Sequence, residues 1–149
     1  MATCKAPQGE PASLAAVGDS ITARYRLAYS YPDLLGRWRE VPVRNFGVSG
    51  DTTAQMLDRL AEVLDSGPTP QVVVIMGGTN DIARGMPVEG ALRNLQTIAE
   101  RVRDSGRRAV LVCPPPTGAF RLDRAQALRA GLRDYARAHG IGWPVPPPG

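Results

Sequence analysis

Val72-Val73-Val74-Ile75-Met76, running straight into Gly77-Gly78-Thr79-Asn80-Asp81, decides the fold class. Five apolar residues without a polar break, four of them β-branched, read as a strand covered on both faces. Such strands belong to parallel sheets flanked by helices. The glycines and small polar residues that follow make a loop at the strand's carboxyl end. Working outward, the pattern recurs: about Ser13 to Val17 leads into Gly18-Asp19-Ser20, about Val41 to Phe46 into Gly47-Val48-Ser49-Gly50, and about Ala109 to Cys113 into Pro114-Pro115-Pro116. Between the strands, Leu57, Leu60, Ala61 and Leu64 recur at helical spacing, as do Leu92, Leu95, Ala99 and Val102. Leu122, Ala125, Leu128, Leu132 and Tyr135 mark a last helix ending near His139. The helix ends agree with this reading. Thr52 with Gln55 makes a capping box, Pro87 suits a first turn, and Gly67, Gly106 and Gly140 fall where helices stop.

Alternating strands and helices predict an α/β protein, a flavodoxin-like three-layer α/β/α sandwich around a parallel sheet. With 149 residues and 43% hydrophobic content, the chain suits one core. That core is expected over residues 13–140, between a loose arm at 1–12 and a Pro-rich tail at 141–149. Lys plus Arg number 18 against 14 acidic residues, and Lys5 is the only lysine. The arginines are spread along helices, as at Arg101, Arg103, Arg129, Arg133 and Arg137, without the clustering and aromatic interleaving of a nucleic-acid surface. No segment approaches the roughly 20 apolar residues of a membrane span, and no signal-peptide core follows Met1, so a soluble, cytoplasmic protein is expected. Cys4 and Cys113 then read as free thiols. A single histidine and two distant cysteines offer no zinc spacing. No lysine follows Gly77-Gly78-Thr79-Asn80, and its spacing matches neither a P-loop nor a dinucleotide fingerprint, so no cofactor is expected.

Each polar loop alone has a bland reading: Ser20 as a helix cap, Gly50 as a turn glycine, Asn80 as a turn or cap residue. All three follow carboxyl ends of strands, the edge where open α/β sheets place ligands. If the first strand lies between the second and third, the three loops open into one crevice. Asp19 and Asp81 are read as residues that tie loop backbone, as Asp does in turns.

Taken together, Val17-Gly18-Asp19-Ser20-Ile21-Thr22, Asn45-Phe46-Gly47-Val48-Ser49-Gly50-Asp51-Thr52 and Gly77-Gly78-Thr79-Asn80-Asp81 resemble blocks I, II and III of the GDSL-type (SGNH) serine hydrolases in order, spacing and preceding strands. The resemblance covers about residues 13 to 140. It implies that Ser20 attacks the carbonyl of a small-molecule ester. It further implies that the Ser20 and Gly50 backbone N–H groups and the Asn80 side-chain amide hold the oxyanion. Arg24, Arg26 and Arg84 with Tyr25, Tyr29 and Tyr31 either line a pocket for anionic esters or form a solvated face and core.

The family's remaining block, Asp-x-x-His, has no counterpart. His139 is the sole histidine, and Ala136 stands three residues before it. Its place before Gly140 reads as a helix C-terminal histidine favoured by the dipole. Pro144 and Pro146 to Pro148 cannot donate ladder hydrogen bonds, so a fifth strand at most begins after Gly140, and the closing strand and helix are expected to be incomplete. One sheet face would then stay partly uncovered, a patch that favours self-association. The expected function is thus an ester hydrolase impaired by lack of its base. The alternative is a non-catalytic module that binds acyl or glycosyl ligands.

Overall fold

The computed structural model describes residues 13–23, 30–65, 70–114 and 121–144. Four parallel strands, β1 (Leu14–Gly18), β2 (Val43–Gly47), β3 (Val72–Met76) and β4 (Arg108–Leu111), form one sheet in the order β2-β1-β3-β4. β1 is therefore the strand between β2 and β3, the arrangement on which a shared crevice depends. The register runs from Leu14 opposite Val43 and Val72 to Gly18 opposite Gly47 and Met76, so the three strands end level with one another. β2 begins two residues later than the apolar run implies. Pro42 has no N–H to give, and its carbonyl accepts from Leu14 N–H before the ladder starts.

Side chains alternate across the sheet, so Ala15, Val17, Val73, Ile75, Ala109 and Leu111 share one face. They form the core with Met56 of α3 (Thr53–Asp58), Leu60 and Val63 of α4 (Leu60–Asp65), Leu95, Ile98 and Val102 of α6 (Val88–Asp104), and Leu128 and Leu132 of α7 (Leu122–His139). Each Val, Leu, Ile or Met side chain among them, fully buried, contributes about 1.5–3 kcal/mol of transfer free energy. The spacing of Leu57 to Leu64 predicts one helix there. The structure divides it at Arg59, whose ψ of −7° turns the chain between α3 and α4.

The other face carries Leu14, Ala16, Val72, Val74 and Val110, and its cover is α1 (Ser20–Ala23) and α2 (Tyr31–Arg39). α2 sits over β2, where Gly36 lets the helix close on Val43. Its start is a capping box, with Ser30 bonded to Asp33 N–H and Asp33 to Ser30 N–H, a Ser-x-x-acid signal that the sequence reading passed over. Among the described residues, nothing beyond α2 covers this face. A groove of about 400 Å³ runs between Leu35 and Trp38 on one side and Val72, Val74 and Val110 on the floor, and Trp38 is 77% exposed. Among the described residues past Gly140, Gly142 makes a parallel bridge with Val110. Cys113 is a free thiol, while Cys4, Gly67 and the 1–12 arm lie outside the described residues. Among the described residues no helix is long and apolar enough to cross a membrane, and no group of His, Cys, Asp and Glu forms a metal cluster.

Candidate functional site

Ser20 opens α1 one residue beyond Asp19, at the end of the central strand. Asp19 is 1% exposed and accepts from Ile21 N–H at 3.0 Å through Oδ1, a local tie of the kind expected for Asp in a turn. Its Oδ2 is buried without a hydrogen-bond partner among the described residues. Burial pushes this carboxyl above the usual carboxylate range, and the neighbouring Asp51 and Asp81 charges push the same way. Among the described residues, none hydrogen-bonds the Ser20 hydroxyl.

Gly50 lies in a tight turn closed by Asp51 N–H to Val48 O at 3.2 Å. Its φ of +82° is one that glycine adopts without penalty, and a Cβ there would meet nothing nearer than the Arg84 guanidinium at 3.9 Å. Arg84 Nη2 donates to Gly50 O at 3.0 Å, which ties this turn to the loop after β3.

Asn80 is the second residue of α5 (Thr79–Ala83), which starts at Gly78 with a φ of +111°. Asn80 Nδ2 donates to Asp51 O at 2.9 Å. An amide nitrogen carries two hydrogens, and this bond uses one of them. Beside it, Asp81 accepts from Thr53 N–H at 2.8 Å and from Thr53 Oγ1 at 2.7 Å, with both residues no more than 2% exposed. Asp81 thus ties loop backbone as expected, but the backbone belongs to the loop after β2, across the sheet. Asn94 extends this tie by donating to Thr53 Oγ1 at 3.0 Å.

The structure brings Ser20, Gly50 and Asn80 to one edge and leaves His139 at the other. Parallel strands with connecting helices send every helix back toward the strands' amino ends. α7 ends at His139, just before Ile141 and Gly142 join the strand direction. There the His139 ring lies 4.4 Å from that of Tyr135, and its carbonyl accepts from Arg103 Nη1 at 2.8 Å. Two residues of the crevice edge escaped the sequence reading. Arg59 pairs with Asp51 at 2.6 Å, and Asn45 Nδ2 donates to Thr22 O at 2.7 Å. Asn45 stands inside a quoted motif, whereas Arg59 carries no local signal. Arg24, Arg26, Tyr25 and Tyr29 lie outside the described residues, and Tyr31 Oη accepts from Thr22 Oγ1 at 3.4 Å.

The chain is similar to known proteins in sequence and in overall fold. The chain is 36% identical over 115 residues to an arylesterase of Vibrio mimicus, covering 70% of this chain and 57% of that protein. It is 34% identical over 104 residues to thioesterase 1/protease 1/lysophospholipase L1 of Escherichia coli (strain K12), covering 67% and 50% respectively. The solved structure of AlinE4, a SGNH-hydrolase family esterase, superposes with a TM-score of 0.80 at 30% identity, over 92% of this chain and 77% of that one. This chain therefore spans half to three fifths of the length of those curated relatives. Residues 16–143 match the GDSL-like lipase/acylhydrolase family, and with the sheet order and the three loops in agreement, the chain belongs to that family.

Proposed function

We propose that this chain is a serine hydrolase of carboxylic esters that works through an acyl-enzyme at Ser20. The observation that carries the reading is the convergence of Ser20, Gly50 and Asn80 on one edge, with the Asn80 amide held by Asp51 O. Ser20 Oγ adds to the ester carbonyl as its proton passes to a water, and the developing oxyanion takes hydrogen bonds from the Ser20 and Gly50 N–H groups and the second Asn80 amide hydrogen. Collapse breaks the bond to the alcohol, which leaves with a proton returned by that water, and a second water hydrolyses the acyl-enzyme to the acid and restores the Ser20 hydroxyl. The substrate class is that of the relatives' names, simple aryl and acyl esters, including lysophospholipid-like ones.

Within these residues turnover is slow. The one histidine stands at the opposite edge, and a general base is worth about 10²- to 10⁴-fold. The same observation favours a second reading, a non-catalytic module that binds acyl or glycosyl ligands in the crevice. Fluorophosphonate labelling and p-nitrophenyl acetate hydrolysis on the parent and Ser20→Ala separate the two. The esterase reading expects slow hydrolysis and labelling, both lost in Ser20→Ala. Hydrolysis that survives the substitution overturns Ser20 as nucleophile, and a parent that neither labels nor turns over selects the binding module.

A further inference from the structure

Arg59 sits at the break between α3 and α4, with its side chain turned back toward the ends of the strands. Nε and Nη2 both reach Asp51 Oδ2, at 2.8 and 2.6 Å. Nη1 donates to Phe46 O at 3.1 Å, and Nη2 also lies 3.5 Å from Gly18 O. One planar group thereby joins the last residue of β1, two residues before Ser20, to the end of β2 and to the residue after Gly50. The Asp51 main chain continues the connection, its N–H closing the Gly50 turn and its carbonyl receiving the Asn80 amide. The side chains of Arg59 and Asp51 are 25% and 10% exposed, so the pair is largely shielded from water.

From this we infer that Arg59 is a positioning residue, one that touches no substrate but sets the spacing of Ser20, the Gly50 turn and the Asn80 amide. The inference rests on the esterase reading for its catalytic consequence. Its structural content, that Arg59 holds the three loops in register, stands apart from that reading. The residue type matters. A guanidinium presents five donors in a rigid plane and can satisfy a carboxylate and two carbonyls at once, whereas an ammonium is a point charge. Reacting groups displaced by about 1 Å lose on the order of 10²-fold in rate, so slack in this clamp registers in catalysis before it registers in folding.

The test compares the parent with Arg59→Gln and Arg59→Lys. Two readouts are used: fluorophosphonate labelling with ester hydrolysis, and amide hydrogen exchange by nuclear magnetic resonance. In Arg59→Gln the rate constants for labelling and turnover should fall about 10- to 100-fold with KM within about threefold. The Gly50 backbone amide and the Asn80 side-chain amide should shift and exchange faster, while the amides of Val73, Val74 and Ile75 keep the parent rates. Arg59→Lys, which keeps the charge and loses the fork, should show the same changes to a smaller degree, and it carries the test if the glutamine variant does not fold. Parent-like loop amides in the substituted protein overturn the inference. So does an equal acceleration of exchange in the β3 core, which would make Arg59 a general stabiliser. If the parent itself neither labels nor turns over, the esterase reading falls, and the exchange data still decide whether Arg59 holds the loops.

Discussion

At the carboxyl edge of the sheet, Asp81 takes two hydrogen bonds from Thr53, 28 residues away, and both residues are buried. At the amino edge, Tyr135 Oη reaches Glu100 at 3.1 Å on the exposed side of two helices. The two contacts look alike in distance and differ in what surrounds them. A buried donor or acceptor that loses its partner cannot turn to water, whereas an exposed one can. The buried Asp81–Thr53 tie at the carboxyl edge therefore has no substitute in water, and the amino edge is held by the packing of α6 on α7. His139 belongs to the second kind of surroundings, and Asn80, part-buried, stands next to Asp81 in the first.

The comparison breaks most visibly at Asn80. Asn80→Ala removes a donor from the crevice and the tie to Asp51 O together, so labelling and ester turnover should fall on the order of 10²- to 10³-fold with the fold intact. A loss below about threefold would remove Asn80 from the site.

A second measurement sets the edges against each other in stability. Thr53→Val keeps shape but withdraws a hydroxyl from buried Asp81, and urea denaturation should show a loss of about 1–3 kcal/mol. Tyr135→Phe withdraws a hydroxyl from exposed Glu100 and should stay within about 0.5 kcal/mol. Equal losses would mean that burial does not distinguish the two edges.

The smallest effect concerns Asp19, whose Oδ2 is buried without a hydrogen-bond partner among the described residues. Burial raises its folded pKa above the unfolded value of 3.8. The folded state thus holds a proton that the unfolded chain has already released. The associated stability is fully present below pH 3.8 and is lost as pH rises through the folded pKa. Asp19→Asn cannot titrate there. Its stability relative to the parent should therefore increase over that window, and a difference independent of pH would show that Asp19 is not perturbed.

Much of this protein can be read without coordinates. Val72 to Met76 is a strand because its side chains suit burial on both faces, and Thr52 with Gln55 caps α3 because capping is completed within four residues. The Gly50 turn and the stop at Gly140 follow from backbone freedom at single positions. α2 was legible too, through Ser30 and Asp33, but the eye passed over it because its apolar stripe is weak: Leu34 and Trp38 stay exposed. All of these are local signals, with donors, acceptors and apolar faces supplied within a turn or two of chain.

The sequence by itself determined the four strands, the long helices α6 and α7, their order and the residue types waiting at the strand ends. Only the tertiary structure decided which of those ends meet. The placing of β1 between β2 and β3 joins Asp81 to Thr53, Asn80 to Asp51 and Arg59 to Gly18, pairs separated by 28, 29 and 41 residues. The parallel direction of the strands, which turns each connecting helix back, sends His139 to the far edge. The physical reason is that a hydrogen bond between distant loops leaves no periodicity in the chain: its partners are ordinary turn residues and surface charges until strand pairing brings them within 3.5 Å and excludes much of the water that would otherwise satisfy them.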